Sequence, residues 1–287
     1  MTQHTPPHEL PHWVKADIPV QVSHALEEDI GSGDITAELI PAEANAHGTL
    51  ITREDMVLCG QAWVEEILHQ LGGNLKITWH YHDGDQVPAQ ATLFEIEGRA
   101  QTILTAERTA LNFLQTLSGT ATITRYYADL IAGTGATLLD TRKTIPGLRT
   151  AQKYAVTCGG GQNHRIGLYD AFLIKENHIA AHGSITEAVK EAKQRYPNRW
   201  VEVETETMEQ VKEAMNTECD VIMLDNFSYE AMAEAAKLVN GKVKLEASGD
   251  ITADTIVQVA QTGVDYISIG ALTKHVQAVD LSLRLSL

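Results

Sequence analysis

The chain has 287 residues, 44% hydrophobic and 21% charged, the balance of a globular protein with a sizeable core and length for one large domain or two modest ones. Its formal net charge of −16 argues against nucleic-acid binding and against docking to anionic membranes, since both need a basic face, but a local cationic pocket can still hold an anionic substrate. Three scattered cysteines, Cys59, Cys158 and Cys219, make neither a CxxC pair nor a disulfide framework, and a reducing compartment suits them.

The first residues carry no basic stretch and no apolar segment of the secretory type, and no apolar run approaches the roughly 18 residues that span a bilayer. The expectation is a cytoplasmic protein. Residues 1–17 are rich in His and Pro and read as a loose arm. His4, His8 and His12 recur every fourth position, but Pro6, Pro7 and Pro11 prevent one helix from presenting them together as a metal face.

Residues 20–30 read as an amphipathic helix. Strand-like runs follow at 48–52, 56–58, 75–81 and 92–96, with a helix at 61–71 between them and a longer helix at about 99–117. Strands and helices that do not alternate regularly predict an α+β domain. The second half has another rhythm: apolar runs at 137–139, 171–174, 201–203, 221–224, 243–247 and 266–269, separated by helical patterns at 184–193, 208–215, 228–239 and 253–261. That cadence predicts parallel βαβ units closing into a barrel or lying in an open sheet.

Nearly every run of the second half ends in a polar residue or glycine: Asp140-Thr-Arg-Lys143, Lys175, Glu204, Asp225-Asn226, Ser248-Gly-Asp250 and Gly270. Strand ends are where parallel α/β folds gather their sites. Glu202 and Glu204 share one strand face, as do Lys244, Glu246 and Ser248, and charges facing an interior are costly unless paired or bound to a ligand. A buried ion-pair network is the alternative reading for Glu204 and Asp225. Ser248-Gly249-Asp250 is expected to lead into a helix near Ile251, and Gly270 into a helical turn; glycines before helix starts in the last two units suit a phosphate-bearing ligand.

Residues 140–178 hold six cations, Arg142, Lys143, Arg149, Lys153, Arg165 and Lys175, against three anions, Asp140, Asp170 and Glu176. His164 and His178 lie in the same stretch, and three successive glycines follow Cys158. The spacing is not that of a Walker loop. Arginine geometry suits carboxylate or phosphate, and two carboxylates at neighbouring strand ends, Glu204 and Asp225, suit Mg2+. The residues alone thus predict a barrel-like enzyme that handles a phosphorylated, multiply anionic substrate with magnesium, and leave the reaction open.

Beyond that, the chain resembles the quinolinate phosphoribosyltransferase family over nearly its whole length. The carrying segments include residues 26–36 and 107–112, Asp140-Thr-Arg-Lys-Thr-Ile-Pro-Gly-Leu-Arg149, Cys158-Gly-Gly-Gly-Gln-Asn-His-Arg165, Leu173-Ile-Lys-Glu-Asn-His178, Val201-Glu-Val-Glu204, Met223-Leu-Asp-Asn-Phe227, Glu246-Ala-Ser-Gly249 and Ser268-Ile-Gly-Ala271. The resemblance implies an α/β fold: an N-terminal α/β sandwich domain, residues 1–117 joined by 276–287, and an incomplete parallel α/β barrel, residues 118–275. It implies transfer of phosphoribose from phosphoribosyl pyrophosphate to quinolinate with decarboxylation, and a homodimer, with larger assemblies in some members. Arg108 would reach across from the partner subunit to the quinolinate carboxylates, with Arg142, His164 and Arg165 lining the same pocket. Lys143 and Lys175 would stand nearer the reacting centre, Glu204 and Asp225 would hold Mg2+ and the ribose hydroxyls, and Ser248, Gly249 and Gly270 the 5′-phosphate. Three competing readings are a paralogue acting on another anionic base, an aldolase-like barrel with Lys175 as Schiff base, and a non-catalytic binding protein.

Overall fold

The computed structural model describes residues 10–287, so His4 and His8 of the expected arm lie outside the described residues. In chain order the elements are α1 (His12–Ile30), a 3-10 turn (Ala37–Leu39), β1 (Asn45–Thr52), β2 (Met56–Val57), α2 (Gln61–Leu71), β3 (Lys76–Trp79), β4 (Gln86–Val87), β5 (Thr92–Arg99) and α3 (Ala100–Leu130). There follow β6 (Thr137–Leu139), α4 (Arg149–Cys158), β7 (Ala171–Ile174), α5 (Glu176–His182), α6 (Ile185–Arg195), β8 (Trp200–Thr205), α7 (Met208–Ala214) and β9 (Val221–Asp225). The last are α8 (Tyr229–Val239), β10 (Lys244–Ser248), α9 (Ile256–Ala260), β11 (Tyr266–Ser268), α10 (Ala271–Lys274) and β12 (Leu281–Ser286). No helix among the described residues is long and apolar enough to cross a membrane.

The chain divides into two compact units. One comprises the described residues up to Arg125 with Thr144–Gly160 and Leu272–Leu287; the other comprises Tyr126–Lys143 with Gly161–Ala271. The division therefore falls inside α3, and α4 clusters with the first unit although the chain reaches it after β6.

The first unit holds a four-stranded sheet, β12-β1-β5-β3, whose pairs are antiparallel. Leu50 of β1 pairs with Phe94 of β5, and these side chains, with Val64, Ile67, Leu111 and Leu114 from α2 and α3, form the core. Trp63, Val64 and Ile67 are the buried stripe of α2, spaced as one helix face. The start of α2 is capped from a distance: Asp83 Oδ1 accepts the N–H groups of Gly60 and Gln61 at 2.9 and 3.2 Å, and Asp83 Oδ2 accepts the Tyr154 hydroxyl at 3.0 Å. The buried Asp83 carboxyl is pushed up from 3.8 to about 6, because burial outweighs these hydrogen bonds.

The second unit is a six-stranded sheet in the order β6-β11-β10-β9-β8-β7, parallel throughout, with helices in the crossovers. Among the described residues its outer strands β6 and β7 do not pair with one another, so the barrel is incomplete. Local signals set the helix starts: the Ser184 and Ser228 side chains accept the N–H groups of Glu187 and Ala231, and Thr207 with Gln210 forms a capping box.

Several elements depart from the sequence expectation. The first helix begins at His12, directly after Pro11, and carries Pro19 within it; the arm is therefore shorter than expected. The long helix α3 continues to Leu130, past the expected end near residue 117. Two helices were not expected: α4, inside the cationic stretch, and α5, directly after Lys175. Helix α9 begins at Ile256, not near Ile251, because Thr252 N–H binds Thr255 Oγ1 at 2.9 Å and closes a turn first.

Candidate active site

Strand register assembles the site of the second unit. Leu173 pairs with Glu202, Glu204 with Met223, and Asp225 with Ser248. With side chains alternating by two, Lys175, Glu204, Asp225 and Ser248 form a row on one face at the ends of four successive strands. Lys175 Nζ lies 2.5 Å from Glu204 Oε2, and the Glu204 side chain is only 11% exposed. Asp225 Oδ2 accepts the Asn226 side-chain amide at 3.0 Å.

The first of the two glycines is required by its backbone and surroundings, and the second is closely approached by Lys143. Gly249 has φ +110°, and a Cβ there would collide with the Asn226 side-chain oxygen. A Cβ on Gly270 would stand 2.8 Å from Lys143 Cδ, so this glycine lets the Lys143 side chain lie against the backbone. Lys143 itself is exposed, and its N–H is held by Thr141 Oγ1 at 3.0 Å.

One layer below the row stands a buried polar group. His164 Nε2 lies 2.7 Å from Glu202 Oε2 and 3.5 Å from Glu246 Oε2. Burial pushes both carboxyls above the usual range; the neighbouring Glu202 raises Glu246 further, while a hydrogen bond from Glu246 partly offsets the rise at Glu202. Among the described residues, Glu202 Oε1 and Glu246 Oε1 have no hydrogen-bond partner. Arg165 is half-buried beside this group; its guanidinium donates to the Ala171 carbonyl at 3.3 Å. Burial, and then the neighbouring Arg142 guanidinium, lower the Arg165 pKa. Two guanidiniums near one another beside a partly buried space suit a ligand with more than one negative charge.

A cleft of about 370 Å³ is lined by His164, Arg165, Glu202, Glu246, Phe172 and Trp200, among others. Trp200, Val221 and Tyr266 on its wall begin their strands, and the row of Lys175, Glu204, Asp225 and Ser248 does not line it. Lys244, grouped with Glu246 by its period, is exposed at its strand start and paired with Asp265 at 2.6 Å. Arg108 is exposed on α3 in the first unit. Sequence reasoning gave no role to Asp140, Asp170 or Asn226. Asp140 is fully buried directly after β6, and a carboxylate in that position was the available signal.

A parallel α/β fold whose strand ends bring a lysine, two carboxylates and a glycine-flanked serine into one row, beside paired arginines, defines an enzyme of small polyanionic substrates. The chain belongs to the quinolinate phosphoribosyl transferase family: the family's N-terminal domain matches residues 34–118 and its C-terminal domain residues 120–284. It is 42% identical over 267 residues to a probable nicotinate-nucleotide pyrophosphorylase [carboxylating] of Bacillus subtilis, covering 93% of this chain and 92% of that one. It is 41% identical to a quinolinate phosphoribosyltransferase [decarboxylating] of Nicotiana tabacum, over 91% of this chain and 80% of that one. The solved nicotinate-nucleotide pyrophosphorylase of Francisella tularensis superposes with a TM-score of 0.92 at 50% identity, covering 97% of this chain and 98% of that one.

Proposed function

We propose that this protein transfers phosphoribose from phosphoribosyl pyrophosphate to quinolinate and releases pyrophosphate and CO2, giving nicotinate mononucleotide for NAD biosynthesis. The observation that carries the reading is the row of Lys175, Glu204, Asp225 and Ser248 on one face of successive strands, with Gly249 and Gly270 beside it. Membership of the family, whose two domains match residues 34–118 and 120–284, supports it.

Each part has a physical task. Arg142 and Arg165, with His164 beside them, hold the two quinolinate carboxylates, and Arg108 comes from the partner subunit of a homodimer. Ser248, Gly249 and Gly270 take the 5′-phosphate through small side chains and open backbone. The bond from ribose C1 to pyrophosphate breaks as the pyridine nitrogen bonds to C1. Glu204 and Asp225 stabilise the positive charge that builds on the ribose, and Lys143 and Lys175 offset charge on the phosphates. The pyridinium ring then accepts the electron pair as the C2 carboxylate leaves, and C2 takes a proton. Most of the rate enhancement on this reading is positioning and charge neutralisation. The aldolase alternative is not favoured by the geometry: Lys175 is ion-paired with Glu204, unlike the apolar setting that activates a Schiff-base lysine.

Two carboxylates on one face, half-buried and at strand ends, are a hard-oxygen donor set that fits Mg2+. Glu204 and Asp225 would hold it, and when bound it would neutralise pyrophosphate oxygens. The cytoplasm is the compartment we assign.

The test is product formation from quinolinate, phosphoribosyl pyrophosphate and Mg2+, followed by chromatography beside a reaction given nicotinate. Nicotinate mononucleotide from quinolinate alone is the expected result. Absence of product from quinolinate would overturn the assignment and point to a family member with another base.

A further inference from the structure

Between Gln162 and β7 the chain has no helix or strand, yet four consecutive backbone N–H groups are taken by side chains. Asp140 Oδ1 accepts from His164 at 2.9 Å, His164 Nδ1 accepts from Arg165 at 2.8 Å, and Asp170 Oδ2 and Oδ1 accept from Ile166 and Gly167 at 2.7 and 2.9 Å. Asp140 also accepts the Asn163 side-chain amide at 2.7 Å. A loop of this kind ordinarily leaves its amides to water. Here every amide around Arg165 is fixed, and Arg165 stands at the centre of the fixed segment.

The imidazole connects this segment to the sheet. Because Nδ1 accepts the Arg165 N–H, Nε2 carries the ring proton in the neutral form, and it faces Glu202 Oε2 at 2.7 Å. Glu202 sits on β8, the strand that also carries Glu204. The strand therefore orients the ring, the ring holds the Arg165 amide, and Asp170 holds the next two.

We propose that Asp170 and Glu202 are positioning residues for Arg165: they fix its backbone before substrate arrives, so that its guanidinium meets a substrate carboxylate without a loop having to be ordered first. Both stand on the wall of the same cleft as Arg165, and on this reading each acts through it. The proposal rests on the quinolinate reading above. Fixing the loop in the free protein removes an ordering cost from binding, and the gain falls on the ligand that Arg165 holds.

The experiment is steady-state kinetics on the full-length protein with both substrates varied, beside melting temperatures. Asp170→Asn replaces one acceptor by an amide donor facing a backbone N–H. It should raise the quinolinate KM on the order of tenfold to a hundredfold, leaving the phosphoribosyl pyrophosphate KM and kcat near wild type. Glu202→Leu removes the acceptor for His164 Nε2 and should act alike. Glu202→Gln keeps an acceptor oxygen and should restore the quinolinate KM. Should Asp170→Asn fail to fold, the Glu202 pair carries the test. Equal changes in both KM values, or a lowered melting temperature with unchanged KM values, would overturn the proposal. If the wild-type protein does not use quinolinate, the function assignment fails and the inference falls with it.

Discussion

Lys175 Nζ stands 2.5 Å from Glu204 Oε2 across two adjacent parallel strands, and this pair locates the end of the barrel at which the chemistry is proposed. Glu204 is nearly buried while Lys175 remains 43% exposed, so the lysine can exchange the carboxylate for a phosphate oxygen at little structural cost. Glu204→Gln keeps the shape and removes the charge. Its kcat should fall about a hundredfold or more, with a melting temperature close to wild type. Retention of kcat, measured by initial rates at saturating substrates, would remove Glu204 from the reacting centre.

Gly249→Ala tests the phosphate end of the row. The backbone there has φ +110°, and the new Cβ would collide with the Asn226 side chain, which itself leans on Asp225. The expected outcome is a rise of about tenfold or more in the KM for phosphoribosyl pyrophosphate, with the quinolinate KM unchanged. Loss of stability should be about 1 kcal/mol or more, the cost of placing Ala where φ is positive.

Asp83 gives a pH signature that has nothing to do with catalysis. Its carboxyl titrates at 3.8 in the unfolded chain and at about 6 in the fold. The fold therefore binds the proton more tightly. The group's stabilising contribution is complete below 3.8 and is lost as pH rises through about 6, a loss of about 3 kcal/mol. Asp83→Asn keeps an acceptor for the start of α2 and removes the titration. Relative to wild type, the variant should gain about 2 kcal/mol between pH 4 and pH 7. Urea unfolding at four pH values across that range checks it; parallel curves for the two proteins would refute the assignment.

Arg108 tests the proposal that each active site is shared between two subunits. Arg108→Ala and Glu204→Gln should each be nearly inactive as separate preparations. Unfolded together and refolded, random pairing puts both intact groups at one site of each mixed dimer, and activity should return to about a quarter of wild type. No recovery, with mixed dimers demonstrated by mass, would place Arg108 in its own subunit's site.

Much of the second unit was legible because its signals are local. Serines at 184 and 228 stand directly before helices, and alternation by two already put Glu202 and Glu204 on one face. The longer α3 was missed because residues 118–122 read Ser-Gly-Thr-Ala-Thr, a weak helix sequence that tertiary packing overrides: Ser118, Thr120 and Ala121 are fully buried. Helix α4 was hidden by its own cations. Lys153 is fully buried within it, and a charged residue in the interior is the opposite of what an amphipathic pattern leads one to expect.

By itself the sequence determined the α/β class, the cadence of parallel strands and the residues that end them, because hydrophobic period, caps and turn chemistry act over a few residues. Only the tertiary structure decided which strand ends are neighbours, that Lys175 meets Glu204, and that Asp140, His164 and Asp170 lock the amides around Arg165. Those facts depend on strand order and register, which join residues 29 apart for Lys175 and Glu204 and 24 apart for Asp140 and His164, and no local pattern encodes them.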